Sequence, residues 1–188
     1  AYENAALAGL LDAWARHDQA IVCLVPAGKI VPQLASWLGE PRLQPGKVYR
    51  RAHLEFHLLP FLDQDTYDRL LWACDLNFVR GEDSCVRAQW AARPFVWQAY
   101  PQQENAHRAK IDSLLALYTE GLDEAAAQAI SQLWSAWNGQ GDVDAAWTAF
   151  LDHKRALDAH ARRWPARLAE PGDLVTNLRA FVEARQAR

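Results

Sequence analysis

The chain reads as a doubly wound α/β domain followed by an all-helical tail. Three observations predict this. Short apolar runs alternate with helix-period segments up to residue 100. Beyond Pro101 only the helical period remains. The 188 residues are 51% hydrophobic with 9 Trp, enough for the aromatic-rich core of one full-sized domain.

Taken in order, Leu7, Leu10, Leu11 and Trp14 fall at i, i+3, i+4 and i+7, which predicts a helix over 3–16. Ile21, Val22, Cys23, Leu24 and Val25 form an unbroken apolar run that stops at Pro26. A uniform run of this kind predicts a strand covered on both faces, hence a parallel sheet between helices. Helical spacing returns over 28–39, and the Pro and Gly of 40–46 mark a loop. One or two extended segments are expected within 47–59. Residues 64–73 read as a helix, 75–80 as a strand, 84–92 as a helix and 94–98 as a strand. The tail shows four helical windows: Ile111, Leu114, Leu115, Tyr118; Ile130, Leu133, Trp134, Trp137; Leu157, Ala161, Trp164; and Leu174, Leu178, Phe181. In such a fold ligands bind at the carboxyl ends of the strands.

Composition excludes several classes. The packed, low-Gly, low-Pro makeup excludes disorder, and a net charge of -3 gives no reason to expect nucleic acid or an anionic membrane as partner. Arginine makes up 16 of the 20 basic residues, so a guanidinium is the expected tool for holding an anion. Cys23, Cys74 and Cys85 are odd in number and lack C-x-x-C spacing, which argues against a disulfide framework and fits a reducing, cytoplasmic setting. The opening Ala1, Tyr2, Glu3, Asn4 has neither Met nor a basic leader, as in a chain that begins mid-protein or has been trimmed.

The chemistry concentrates in 74–103. A strand runs into Arg80, Gly81, Glu82, Asp83 and Ser84, and a helix follows at once. Gly81 permits a sharp turn, Asp83 or Ser84 is the expected N-cap, and the free N–H groups of the first turn point outward. Those N–H groups with Arg80 suit a diphosphate held without a metal. Glu82 and Asp83 would repel it and suit hydroxyls of a sugar or ribose, while Ser84 faces the phosphate. An ordinary capped helix with N-terminal acids has the same spacing.

From Tyr2 to Gln103 the chain resembles the C-terminal, donor-binding half of the bacterial protein-arginine rhamnosyltransferases of the EarP family, which modify translation elongation factor P. The resemblance lies in the opening YENAALAGLLDAWA, the stretch LLPFLDQDTYDRLLWACDLNFVRGEDSCVRAQWAARPFVWQAYPQ and the Trp-rich helical tail. It implies one Rossmann-like half of a two-domain GT-B glycosyltransferase. Residues 1–103 would be the nucleotide-sugar-binding core, and 104–188 a helical tail packed on the same domain. The enzyme would invert the anomeric centre and transfer L-rhamnose from dTDP-β-L-rhamnose to an arginine of the elongation factor. The acceptor would be met mainly by the N-terminal domain absent from this chain. Tyr2, Gln64, Arg80, Gly81, Glu82, Asp83 and Ser84 would contact the donor, with Phe61 and Tyr100 lining the thymidine or sugar pocket. Glu82 is the expected catalytic carboxylate, orienting the donor or stabilising developing positive charge. The family's key aspartates would lie in the absent half, so this chain would bind donor without turnover. No metal or other cofactor is expected. The rivals are a GT-B domain using a UDP-sugar and a non-protein acceptor, and a non-catalytic helical interaction module.

Other features carry less. His53 and His57 are four apart, but HLEFH lacks the acid directly after the first His of a metalloprotease helix. Cys85 near a helix start reads as packing rather than as a reactive thiol. Arg162, Arg163 and Arg167 around Trp164 read as a solvated face. The last helix of GT-B enzymes commonly braces the other domain, so Leu174 or Phe181 is expected to be exposed.

Overall fold

The computed structural model describes residues 3–100 and 106–186. Helix and strand alternate first: α1 (Leu7–Arg16), β1 (Ile21–Pro26), α2 (Val31–Leu38), β2 (Val48–Arg51), β3 (Leu54–Leu59), α3 (Gln64–Ala73), β4 (Asn77–Arg80), α4 (Glu82–Trp90) and β5 (Phe95–Gln98). Helices α5 (Ala106–Thr119), α6 (Glu124–Trp137), α7 (Val143–Asp152), α8 (Lys154–Ala169) and α9 (Leu174–Gln186) complete the chain. The mixed α/β class and the helical tail match the periodicity.

The sheet departs from a continuous parallel one in two respects. β1 and β3 pair in parallel from Ile21 opposite Leu54 to Pro26 opposite Leu59, but β2 joins β3 antiparallel. Only Ala52 and His53 separate β2 from β3. A connection that short can only return the chain antiparallel, whereas a parallel crossover needs a dozen or more residues. The second departure is a break. β4 and β5 form their own parallel pair, with no ladder joining it to β1 among the described residues. β1 is therefore an edge strand, and Val22 is 56% exposed instead of covered on both faces.

The two sheet pieces are held by one aromatic core. Phe78 of β4 packs edge-on against Trp14 of α1 and Trp137 of α6, with centroids 5.7 and 4.7 Å apart. Phe95 of β5 meets Trp134 and Tyr118 at 5.2 and 4.9 Å. Trp134 is fully buried, and its indole N–H donates to the Phe95 carbonyl over 2.7 Å. Asn138 donates to the Trp97 carbonyl over 2.9 Å. Truncating a Trp so placed costs about 3–5 kcal/mol. The tail helices thus fix the strands that carry the site.

Trp164 is buried and bonds Gln89, so the arginines beside it are not interleaved with an exposed aromatic. HLEFH lies on and before β3, not on a helix, and His57 pairs with Glu55 of its own strand. No helix among the described residues is long and apolar enough to cross a membrane.

Candidate functional site

The carboxyl ends of β1, β3 and β4 converge with the N-termini of α3 and α4 around a cleft of about 250 Å3. Pro26 and Ala27 enter from β1, Phe61 and Leu62 from the loop after β3, Asp63, Gln64 and Tyr67 from the start of α3, and Asp83 and Ser84 from the first turn of α4. This is the end of the sheet where open α/β folds bind ligands.

Local sequence explains each wall. Asp63 caps α3 by accepting from the Thr66 N–H over 2.8 Å, and that bond holds its carboxyl below the usual carboxylate range. Gln64 and Tyr67 lie three residues apart and share a helix face. Tyr67 and Ser84 both line the cleft, and burial raises the Tyr67 phenol above the ordinary value while the nearby Ser84 hydroxyl opposes the rise. Phe61 is 89% exposed, so it is no core residue and presents its ring to the cleft mouth.

The turn into α4 differs from expectation in its cap. The helix begins at Glu82, and Gly81 stands at the N-cap with φ 76° and ψ 170°, without a side-chain cap bond. Only glycine occupies that backbone region readily. Neither Asp83 nor Ser84 caps, because both lie within the helix that Glu82 begins, and the Asp83 carboxylate pairs with Arg87 over 3.0 Å.

Of the residues singled out by sequence, Phe61, Gln64, Asp83 and Ser84 line the cleft together. Arg80, Gly81 and Tyr100 form a second group at the turn. The Arg80 guanidinium lies 4.6 Å from the Tyr100 ring centre, and a Cβ on Gly81 would approach that ring to 2.9 Å. Glu82 is exposed at the first position of α4 and, like Arg80, Gly81 and Tyr100, is not part of the cleft wall. Tyr2 lies outside the described residues.

Sequence reasoning passed over Pro26, Ala27, Leu62, Asp63 and Tyr67. The Asp63 cap before Thr66 and the Gln64–Tyr67 spacing were the available signals. Cys85, also near the turn, is buried, and its thiol is pushed up to about 12 by that burial and by the charge of Glu82, which suits packing.

Comparison with known proteins identifies the family. The chain is 50% identical over 181 residues to a protein-arginine rhamnosyltransferase of Pseudomonas putida and 42% identical over 181 residues to one of Pseudomonas aeruginosa. Each match covers 96% of this chain and 48% of the relative, so the chain spans about half the length of these relatives. A solved structure that describes the basis of EarP-mediated arginine glycosylation of translation elongation factor EF-P superposes with a TM-score of 0.87 at 45% identity. It covers 97% of this chain and 58% of its own. The model of the elongation factor P (EF-P) rhamnosyltransferases, EarP, matches residues 1–183, and the chain belongs to that family.

Proposed function

We propose that this chain is the donor-binding, Rossmann-like half of a GT-B glycosyltransferase, residues 1–103 forming the nucleotide-sugar core and 104–188 its helical tail. The complete enzyme transfers L-rhamnose from dTDP-β-L-rhamnose to an arginine of elongation factor P in the cytoplasm. Family membership and the naming of the relatives as protein-arginine rhamnosyltransferases support the reaction class. The observation that carries the site is the turn from Arg80 to Ser84, which opens α4 onto the cleft.

In this reading the diphosphate meets the Arg80 guanidinium, the Ser84 hydroxyl and the free N–H groups of the first turn of α4. Phe61 gives the thymine a ring platform, and Gln64 supplies edge hydrogen bonds. Tyr100 stacks on Arg80 and lines the sugar side, and Tyr2 completes the donor contacts. Glu82 and Asp83 accept from hydroxyls, and Glu82 stabilises positive charge developing at the anomeric carbon.

A guanidinium nitrogen attacks that carbon opposite the diphosphate. The bond from the carbon to the diphosphate oxygen breaks, the configuration inverts, dTDP leaves and the guanidinium gives up one proton. Guanidinium is a poor nucleophile, so carboxylates must hold it and take the proton. These belong to the other domain, and this chain binds donor without turnover.

The test is an amide NMR titration of the chain with dTDP, dTDP-rhamnose and UDP. Saturable shifts centred on residues 80–85, with the thymidine ligands bound more tightly than UDP and weakened by Arg80→Ala, are the expected result. No shift at millimolar ligand, or equal affinity of Arg80→Ala for dTDP, would refute this assignment of the site.

A further inference from the structure

An anionic ligand at the first turn of α4 competes with the two acids that the same turn carries, Glu82 and Asp83. The surroundings of Asp83 resolve half of that conflict. Arg87, one turn on, donates from Nε to Asp83 Oδ2 over 3.0 Å. Its Nη1 donates to both oxygens of Asp68 in α3, over 2.8 and 3.1 Å. The side chains of Arg87 and Asp68 are 28% and 26% exposed, and that of Asp83 is 76% exposed.

An exposed i,i+4 ion pair alone holds nothing firmly. Here the guanidinium is anchored first, in a half-buried pair between two helices, and the mobile partner leans on it. The planar fork of arginine reaches both carboxylates at once, which a lysine ammonium on a single stem does poorly. Asp83 and Ser84 line the cleft, whereas Arg87 and Asp68 are not part of its wall.

We infer that Arg87, anchored by Asp68, is a positioning residue for donor binding: it draws the Asp83 carboxylate along the helix, offsets its charge, and leaves the first-turn N–H groups and the Ser84 hydroxyl to a nucleoside diphosphate. The second Asp83 oxygen, Oδ1, has no partner among the described residues and is left to accept from a ligand hydroxyl. This rests on the reading of the cleft as a nucleoside-diphosphate site. Neither Arg87 nor Asp68 touches the ligand, so both act only through Asp83.

Calorimetric titration of the chain with dTDP and with uncharged thymidine tests it. Arg87→Gln is expected to weaken dTDP about tenfold, through an uncompensated charge beside the diphosphate, and thymidine by less than about twofold. With Asp83→Asn already in place, adding Arg87→Gln changes dTDP affinity by less than about twofold, because no charge remains to offset. Asp68→Asn, which frees the anchor, shifts dTDP in the same direction by a smaller factor and serves as the readout should Arg87→Gln not fold. Equal losses for dTDP and thymidine, or an undiminished Arg87→Gln penalty beside Asp83→Asn, would make Arg87 a mere brace between α3 and α4 and overturn the inference. If wild type binds dTDP and neither Arg87→Gln nor Asp68→Asn alters it, the inference alone fails. If wild type binds no dTDP, the nucleotide-site reading fails and takes the inference with it.

Discussion

The buried indole of Trp97 donates its N–H to the carbonyl of Gly81 over 3.0 Å. The Gly81 N–H in turn donates to the Gln98 carbonyl over 3.3 Å. Both backbone polar groups of the turn are thus held by β5, the strand beside it. The point where β4 becomes α4 is set by this neighbour, and no side-chain cap is needed to define it.

Gly81→Ala is expected to destabilise the chain by about 1–3 kcal/mol, since its backbone lies in a region that essentially only glycine occupies. The added methyl also meets the Tyr100 ring that carries Arg80. Urea unfolding reads the first effect and a dTDP titration the second, which should show weaker binding. A variant as stable as wild type would mean that the turn relaxes at no cost.

This same turn shows what the sequence made legible. A strand ending in Arg-Gly before a helix declares itself locally, and so do the tail helices, whose apolar faces repeat with the helical period. Pairing partners do not. The run from Ile21 to Val25 carries no mark that β1 ends at a sheet edge, and 47–59 does not announce a hairpin, because Ala52 with its φ of 52° is an unusual residue for such a turn. Tyr67 went unnoticed for a similar reason: Ser84, which shares the cleft wall with it, lies 17 residues away in the chain, and only tertiary packing brings the two to one cleft.

Donor binding is expected to be insensitive to EDTA and sensitive to salt. The cationic surroundings proposed for the diphosphate, Arg80 and the N-terminus of α4, are intrinsic to the chain, and the charge on a half-exposed site is screened over about 8–10 Å at physiological ionic strength. Titrations of dTDP with EDTA and with Mg2+ should give equal affinities, and rising NaCl should weaken binding. A requirement for Mg2+ would show that the protein groups do not offset the diphosphate charge by themselves.

His160 should make stability pH-dependent above the carboxylate range. It is 5% exposed, and its Nε2 lies 2.6 Å from the Tyr118 carbonyl, which can only accept, so that nitrogen carries a proton. Burial lowers its pKa, the bond to Tyr118 opposes this, and the charges of Arg163 and Arg167 add to the lowering. The folded pKa therefore lies below the unfolded value of about 6.5. Between the two the unfolded state binds the extra proton, so stability is full above about pH 6.5 and falls as pH drops through that window. Urea unfolding from pH 7.5 to 5 checks the sign, and His160→Gln should flatten the slope. Rising stability on acidification would overturn this reading.

The last helix behaves differently from the others, because none of its residues is buried. Leu174, Val175, Leu178, Phe181 and Val182 are 80, 76, 57, 56 and 43% exposed, and an apolar surface of this kind favours association with other surfaces. Since these side chains lose little water contact on folding, replacing them should cost almost nothing in stability. Leu178→Gln with Phe181→Gln is expected to change the unfolding free energy by less than about 0.5 kcal/mol, as for ordinary surface substitutions. The pair should also lower hydrophobic-dye fluorescence and reduce self-association in light scattering. A destabilisation above about 1 kcal/mol would instead show that α9 packs against the domain in solution, because only buried apolar area is lost at that rate.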